Sequence, residues 1–282
     1  LIGAPGIFAA VTVLPIALIV NRILRERRRS RLINEPLSEE RLAMIRRNVA
    51  LYKFIPEQYR AELSGHTNIF LAEKHFEGCG GLALTDEMRV TIAAQACILL
   101  LGRKSSYFPK CDSIVVYPAA YVADKRQRVG YMEVHEDSVR LGESWTQGVV
   151  VLAWDDVQGE AARPEEGRNV VLHEFAHQLD QEDGASDGTP ILANRSAYPE
   201  WARVMSAEYK KLKDREFHHA RDVIDAYGAT NEAEFFAVAT EAFFTKGAAL
   251  KYKHPELYEL LRGYYTLDPA DWRQSAPSPQ NL

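Results

Sequence analysis

The chain of 282 residues contains only three cysteines, Cys79, Cys97 and Cys111, and no CxxC pair among them. That scarcity excludes a cysteine-ligated metal cluster and a disulfide framework, and makes buried free thiols in a reducing compartment the simpler expectation. An excess of positive charge is missing too. A net charge of −5 excludes a broad surface for direct nucleic-acid contact. No internal repeat or low-complexity tract stands out. What remains is ordinary globular material, 46% hydrophobic and 26% charged, long enough for one domain with a sizeable core.

Against that background stands the segment His173-Glu174-Phe175-Ala176-His177, an HExxH pattern. On a helix, residues four apart share a face with Cβ atoms roughly 5–6 Å apart, so both imidazoles can reach one metal. The glutamate between them projects beside that metal, where it can act as base toward a water. The flanks, Asn169 to Leu172 and Gln178 to Asp180, contain no helix breaker. They predict a buried helix, and polar side chains at its centre need partners. Satisfied core histidines are the plainer account, but a glutamate in the same turn argues against a dry apolar site.

A catalytic zinc keeps three protein ligands and leaves its fourth position open. The stretch Tyr227 to Phe244 offers candidates for the third. Thr230 or Asn231 can cap a helix there, acidic residues fill its first turn, and Phe235, Val238, Ala239 and Ala242 recur at helical spacing. Glu232, Glu234 and Glu241 compete for the role. For Glu232, at the helix start, interaction with the helix dipole is already a sufficient explanation. Glu234 and Glu241 share a face two turns apart, and spacing does not choose between them. Asp180, three residues after His177, is a near match whose bonding to a ligand histidine, or capping of the helix end before Gly184, explains it as well.

HEFAHQLD followed by YGATNEAEFFAVATEAFF resembles the Mlc titration factor A (MtfA) family of zinc peptidases. The second segment is also similar to the catalytic domain of anthrax lethal factor. The resemblance runs from roughly Pro56 to Trp272 and takes in Val115 to Ala119, Gly142 to Trp145 and Gly148 to Trp154. It implies one Zn2+ ion held by His173, His177 and Glu234, with Glu174 as general base. The alternative pairing of Asn231-Glu232, which would make Glu232 the ligand, is outweighed by the longer match to NEAEFF. Tyr227 is implied as a donor to the oxyanion, with a helix-entry aromatic packed on the core as the plainer reading. Glu241 is expected to orient a ligand histidine through its free ring nitrogen. Some members place a histidine just before the GxSW element at the metal's open position. His135 is the nearest match, about one residue out of register, and a surface histidine is the alternative.

The function this implies is hydrolysis of a peptide or protein substrate, with aminopeptidase action favoured. The family is named for sequestering a sugar-responsive repressor. A regulatory protein that binds a transcriptional repressor of the Mlc type, with its zinc site secondary, is therefore the alternative. A purely structural zinc is disfavoured, because such sites usually close with four Cys or His ligands.

The N-terminus reads differently. Leu1 to Val20 is almost wholly apolar and uncharged, although Pro5 and Pro15 interrupt it, and Arg22, Arg25, Arg27, Arg28, Arg29 and Arg31 follow. About 20 apolar residues can span the roughly 30 Å hydrocarbon core, and a basic flank stays on the cytoplasmic side. The expectation is a single membrane span with a basic flank over residues 1–33, anchoring a cytoplasmic catalytic domain to the inner membrane. A secretory signal would put its charges before the apolar stretch. The family resemblance does not reach this segment.

Further on, a helical stretch over Leu37–Leu63 must break or kink at Pro56, and Thr85 caps a helix running to Leu101. Strands are expected at Ser113–Tyr117, Val129–Val134 and Val149–Trp154, then a loop around Gly159–Glu166 before the HExxH helix. Gly184–Tyr198 is irregular, and Pro199–Asp214, Thr230–Thr245 and His254–Tyr265 are helices. This order predicts an α+β, zincin-like metallopeptidase domain over 34–273, mostly helical with a small mixed sheet, plus the N-terminal apolar helix. Gly148–Trp154 is the candidate edge strand for pairing an extended peptide. Residues 274–282 form an expected disordered tail.

Overall fold

Local chemistry sets the helix starts. Ser38, Thr85, Asn169 and Asn231 each accept a hydrogen bond from a backbone N–H three residues on, which satisfies a donor that the first turn leaves orphaned. The computed structural model describes residues 5–103, 106–119, 148–217 and 222–272, with side chains from residue 19 onward. Its elements are α1 (Pro5–Leu32), α2 (Glu39–Asn48), α3 (Glu57–Glu73), β1 (His75–Gly78), α4 (Asp86–Ile98), β2 (Ser113–Tyr117) and β3 (Val149–Ala153). They continue with α5 (Trp154–Ala162), α6 (Val170–Asp180), α7 (Tyr198–Phe217), α8 (Glu232–Thr245), α9 (Gly247–Lys253), α10 (Pro255–Tyr265) and α11 (Pro269–Trp272). Pro56 does divide the expected 37–63 helix: α2 stops at Asn48, a 3-10 turn covers Ala50–Phe54, and α3 begins directly after the proline.

The three described strands lie in the order β1-β2-β3, and both pairings are parallel, with Ser113 opposite His75 on one side and Val149 on the other. The expected sheet was mixed; the described part is not. The strand predicted at Val129–Val134, the GxSW element with His135 before it, and the tail 274–282 lie outside the described residues. Alternation on β2 buries Ile114 and Val116, and β3 buries Val150 and Leu152, so one face of the sheet packs fully on the core. Among the described residues β3 is an edge. Four elements escaped the sequence reading: β1, α5 and the short helices α9 and α11. β1 is four residues long, too short for a periodic signal, and α5 occupies part of the expected loop because Val157 and Ala161 are buried.

The core is built on α4, whose residues from Val90 to Ile98 are all buried, and on α8, buried along nearly its whole length. α6 lies between them. Its underside carries Phe175, whose ring meets Phe108 at 4.8 Å and Phe70 at 5.4 Å, edge to face in both cases. That apolar anchorage fixes which way the opposite face of α6 points.

The N-terminal expectation changes most. The apolar segment is part of α1, one helix that continues through Pro15 into the arginines. Among the described residues no helix is long and apolar enough to cross a membrane; the expected span lies almost wholly in residues 1–18, outside the described side chains. The basic end is not a free flank. Arg29 makes a bidentate pair with Glu73 of α3 at 2.8 and 2.7 Å and covers the Tyr107 ring at 4.6 Å. Just past α1, Ile33 lies so close to α3 that a Cβ on Gly65 would sit 2.1 Å from its carbonyl oxygen. Gly65→Ala should therefore lower stability by about 1–3 kcal/mol through overpacking, read as a shifted urea midpoint. An unchanged midpoint would mean that this contact does not hold α1 to the domain.

Candidate metal centre

α6 begins where several buried acceptors converge. The Asn169 side chain caps the helix through Leu172 N–H and donates to Gln95 Oε1 at 2.7 Å. The Asn169 N–H reaches Glu241 Oε2, and the Val170 N–H reaches Glu160 Oε2, each at 2.5 Å. Carboxylates at a helix N-terminus are stabilised by its orphan donors and dipole. One turn in, His173 and His177 stack edge to face with centroids 4.9 Å apart.

From α8, Asn231 accepts from Glu234 N–H and so fixes the first turn, which turns the Glu234 carboxylate toward both imidazoles. His173 Nε2 is 3.1 Å from Glu234 Oε2, His177 Nε2 is 3.3 Å from the same oxygen, and the two Nε2 atoms are 3.2 Å apart. Zinc bonds of about 2.0–2.1 Å in a tetrahedron place neighbouring donors about 3.3–3.4 Å apart. The triangle therefore fits one face of such a site, and its N, N, O donor set suits zinc. The three competing carboxylates separate cleanly. Glu234 joins the histidines, Glu232 stays exposed at the rim, and Glu241 takes His173 Nδ1 at 2.8 Å. With Nδ1–H donated to Glu241, the neutral form of His173 turns its Nε2 lone pair toward the triangle.

The electrostatics describe a cluster short of one cation. Burial pulls the His173 imidazolium down, but hydrogen bonds to Glu234 and Glu241 outweigh it and leave a net rise well above the ordinary value. Burial lowers His177, with the charge of His173 adding to the drop. Glu234 is raised by burial, yet the two histidine bonds bring it down to about 2. Glu174 is buried, its Oε2 has no hydrogen-bond partner among the described residues, and burial, reinforced by Glu234 and Glu241, pushes it up to about 8. An orphaned buried carboxyl beside three converging acceptors is what a divalent cation and its water would satisfy.

Tyr227 sits in a 3-10 turn over Ala226–Ala229, 47% exposed, with its ring centroid 6.1 Å from His173. It stands at the rim, not in the core. Asp180 is not with the histidines: its Oδ2 accepts from Gly188 N–H at 3.0 Å and ties down the loop after α6. His135 lies outside the described residues. A cavity of about 240 Å³ opens beside the cluster, lined by His177, Gln181, Ser186, Asn231, Glu232, Ala233 and Glu234. A larger cleft of about 1930 Å³, between α1 and the α7–α10 side, contains none of the cluster residues.

The sequence reading missed Glu160, held up at about 7 by burial with its carboxylate on α6, and the Gln95–Asn169 bond. Only Asn169 carried a signal, as a capping residue before an apolar helix. The Glu174 shift has a stability consequence. A carboxyl raised from 4.5 to about 8 costs the metal-free fold progressively as pH climbs between those values, and by a constant amount above them. In metal-free protein Glu174→Gln should therefore be more stable than the parent at pH 8, by on the order of 3 kcal/mol, and nearly equal to it at pH 5. Chemical denaturation at the two pH values checks this, and an equal difference at both would contradict it.

Comparison with known proteins agrees with this geometry. A family model described as glucose-regulated metallo-peptidase M90 matches residues 24–266, beginning inside α1. An uncharacterised protein of Synechocystis sp. (strain ATCC 27184 / PCC 6803 / Kazusa) is 43% identical over 244 residues, covering 86% of this chain and 89% of its own. Mlc titration factor A of Yersinia pestis (strain Pestoides F) is 30% identical over 249 residues, covering 80% of this chain and 86% of its own. Its counterpart in Yersinia pseudotuberculosis serotype I (strain IP 32953) matches to the same extent. With the matched model spanning all the helices that build the centre, the chain belongs to the M90 metallo-peptidase family, the family of Mlc titration factor A.

Proposed function

We propose that this chain is a zinc-dependent peptidase of gluzincin type, acting on peptide amino termini, with one ion held by His173, His177 and Glu234. The observation that carries the reading is the 3.1–3.3 Å triangle of donor atoms with Glu174 in the intervening turn, its buried Oε2 without a partner among the described residues. Bound there, zinc would bring a water's pKa down to about 7 and polarise the scissile carbonyl.

The chain's own residues do the rest. Glu174, pulled toward its ionised form by a nearby cation, takes the proton from the attacking water and delivers it to the departing amine. Tyr227, on the rim near His173, donates to the carbonyl oxygen as negative charge develops. Glu241 keeps the proton on His173 Nδ1, which holds Nε2 as a lone-pair donor. β3, an edge among the described strands, offers backbone groups to an extended substrate. Glu232 at the cavity mouth supplies a carboxylate suited to a free α-ammonium group, which supports the aminopeptidase choice alongside the family resemblance.

A second reading rests on the name of the Yersinia relatives, Mlc titration factor A. The chain would bind a transcriptional repressor of that type, with hydrolysis secondary. A binder needs no general base, so Glu174 separates the two.

Glu174→Gln should retain stoichiometric zinc while lowering turnover of aminoacyl chromogenic amides by about 10²–10⁴-fold. Glu234→Ala should weaken zinc binding by more than the roughly 10–100-fold that loss of an outer partner such as Glu241 costs. A parent protein that binds no zinc would sink the metal assignment. Zinc binding without cleavage of any amide or pooled peptide would favour the repressor reading, and internal cuts alone would replace aminopeptidase with endopeptidase.

A further inference from the structure

The segment that brings Tyr227 to the rim is a strap, 222–229, between α7 and α8, and it is pinned at both ends. Near Tyr227 the pin is Asp225. Its Oδ1 accepts from the Tyr227 N–H at 2.9 Å, and its Oδ2 takes Arg168, the residue just before the α6 cap, at 2.9 and 2.8 Å. Between the pins Ile224 is buried, and beyond Tyr227 Gly228 lies so close to α8 that a Cβ would meet Val238 Cγ2 at 2.3 Å.

The far pin is built differently. His254, at the junction of α9 and α10, is 3% exposed. Its Nδ1 lies 2.6 Å from Glu208 Oε2 of α7, and its Nε2 lies 2.9 Å from Asp222 Oδ1 at the start of the strap. A neutral imidazole has one N–H and one bare lone pair, so only the imidazolium donates to both carboxylates at once. The other charges around the ring come from α7. Arg215 bonds the remaining Asp222 oxygen, with Nη1 3.2 Å from Nε2, and Lys211 bonds Glu208 Oε1 at 2.6 Å. No further ion pair reaches the ring among the described residues.

We infer that His254 is a positioning residue. As an imidazolium it clasps Asp222 to α7, and through the strap it sets the pose of Tyr227 beside His173. The catalytic consequence rests on the peptidase reading; the clasp does not. When the proton leaves Nε2, that nitrogen turns a lone pair toward Asp222 Oδ1, with Arg215 Nη1 3.2 Å away, and the strap loses the imidazole donor that held it. Arg215 still bonds Asp222, so the strap loosens without the domain unfolding.

The direction with pH follows. Burial lowers the His254 imidazolium, but its bonds to Glu208 and Asp222 exceed that and leave it above the ordinary 6.5. A histidine raised on folding contributes in full below its unfolded value, and that contribution is lost as pH rises through the folded one.

The test is amide hydrogen–deuterium exchange on the zinc-loaded full chain between pH 6 and 10, corrected for intrinsic rates, with 222–231 compared against α4. In the parent, protection of the strap should fall by roughly tenfold or more on the alkaline side, while α4 holds. His254→Gln, which can satisfy only one of the two carboxylates as donor, should lower strap protection already at pH 6–7 and remove the alkaline step. Asp222→Asn, which keeps the shape and removes the charge, should do the same, and it carries the test if the histidine variant does not fold. A parent strap whose protection does not change with pH, or variants that follow the parent, would overturn the inference. A kinetic cycle checks the link to Tyr227. His254→Gln should lower kcat with little change in KM in the parent background and have little effect on top of Tyr227→Phe. Additive losses would overturn the positioning role. A parent without peptidase activity would instead strike the peptidase reading, and exchange would still decide the clasp.

Discussion

Glu241 is a buried carboxylate shared between two helices, and the candidate centre depends on its being satisfied from both sides. One oxygen takes the N–H that opens α6, and the other takes His173 Nδ1. An unpaired carboxylate at that depth would cost several kcal/mol, so α8 cannot slide along α6 without stranding it. The same bond that fixes the helix pair therefore fixes which nitrogen of His173 faces the cavity. Glu234 sits seven residues earlier on the same face of α8, and it inherits its position from that lock.

The rest of the fold keeps α6 rigid from the other side. Phe175 is clamped by Phe70 and Phe108, so the helix cannot roll to hide its polar face. That face is locally unfavourable. Among the described residues Glu174 Oε2 has no partner, and both amide atoms of Gln178, one turn further on, lack one as well. A sequence tuned for stability alone would replace them. Unsatisfied groups lined up on one helix, next to a triangle of lone pairs, mark where local rules have been broken to build a reactive site.

How much of this was legible depends on the range of the interaction. The HExxH turn, a cap at Thr230 or Asn231 and the break at Pro56 are local, so periodicity and residue type located them. The choice among Glu232, Glu234 and Glu241 was not legible from spacing, because all three suit the start or one face of the same helix. It came from the family resemblance, and in the structure the three separate by what each one touches. β1 carries four residues of signal, and α5 is helical because tertiary contacts bury Val157 and Ala161. Composition read the arginines after residue 20 as a flank to a membrane span. Glu73, 44 residues beyond Arg29, ties one of them to the domain, and no local pattern announces such a pair.

The distant contacts that the sequence hid share a destination. Arg168 and Asn169 are adjacent at the mouth of α6. The first holds the strap through Asp225, and the second is bound by Glu241 of α8 and by Gln95 of α4. Three separate parts of the chain are thus registered against the first turn of one helix, and the groups assigned to chemistry (His173, Glu174, Glu234 and Tyr227) all take their positions from it. Because the registration uses buried hydrogen bonds, whose loss leaves a partner unsatisfied, a small displacement of that turn is resisted from three directions at once. That cost explains how helices so distant in sequence can hold three donor atoms 3.1–3.3 Å apart.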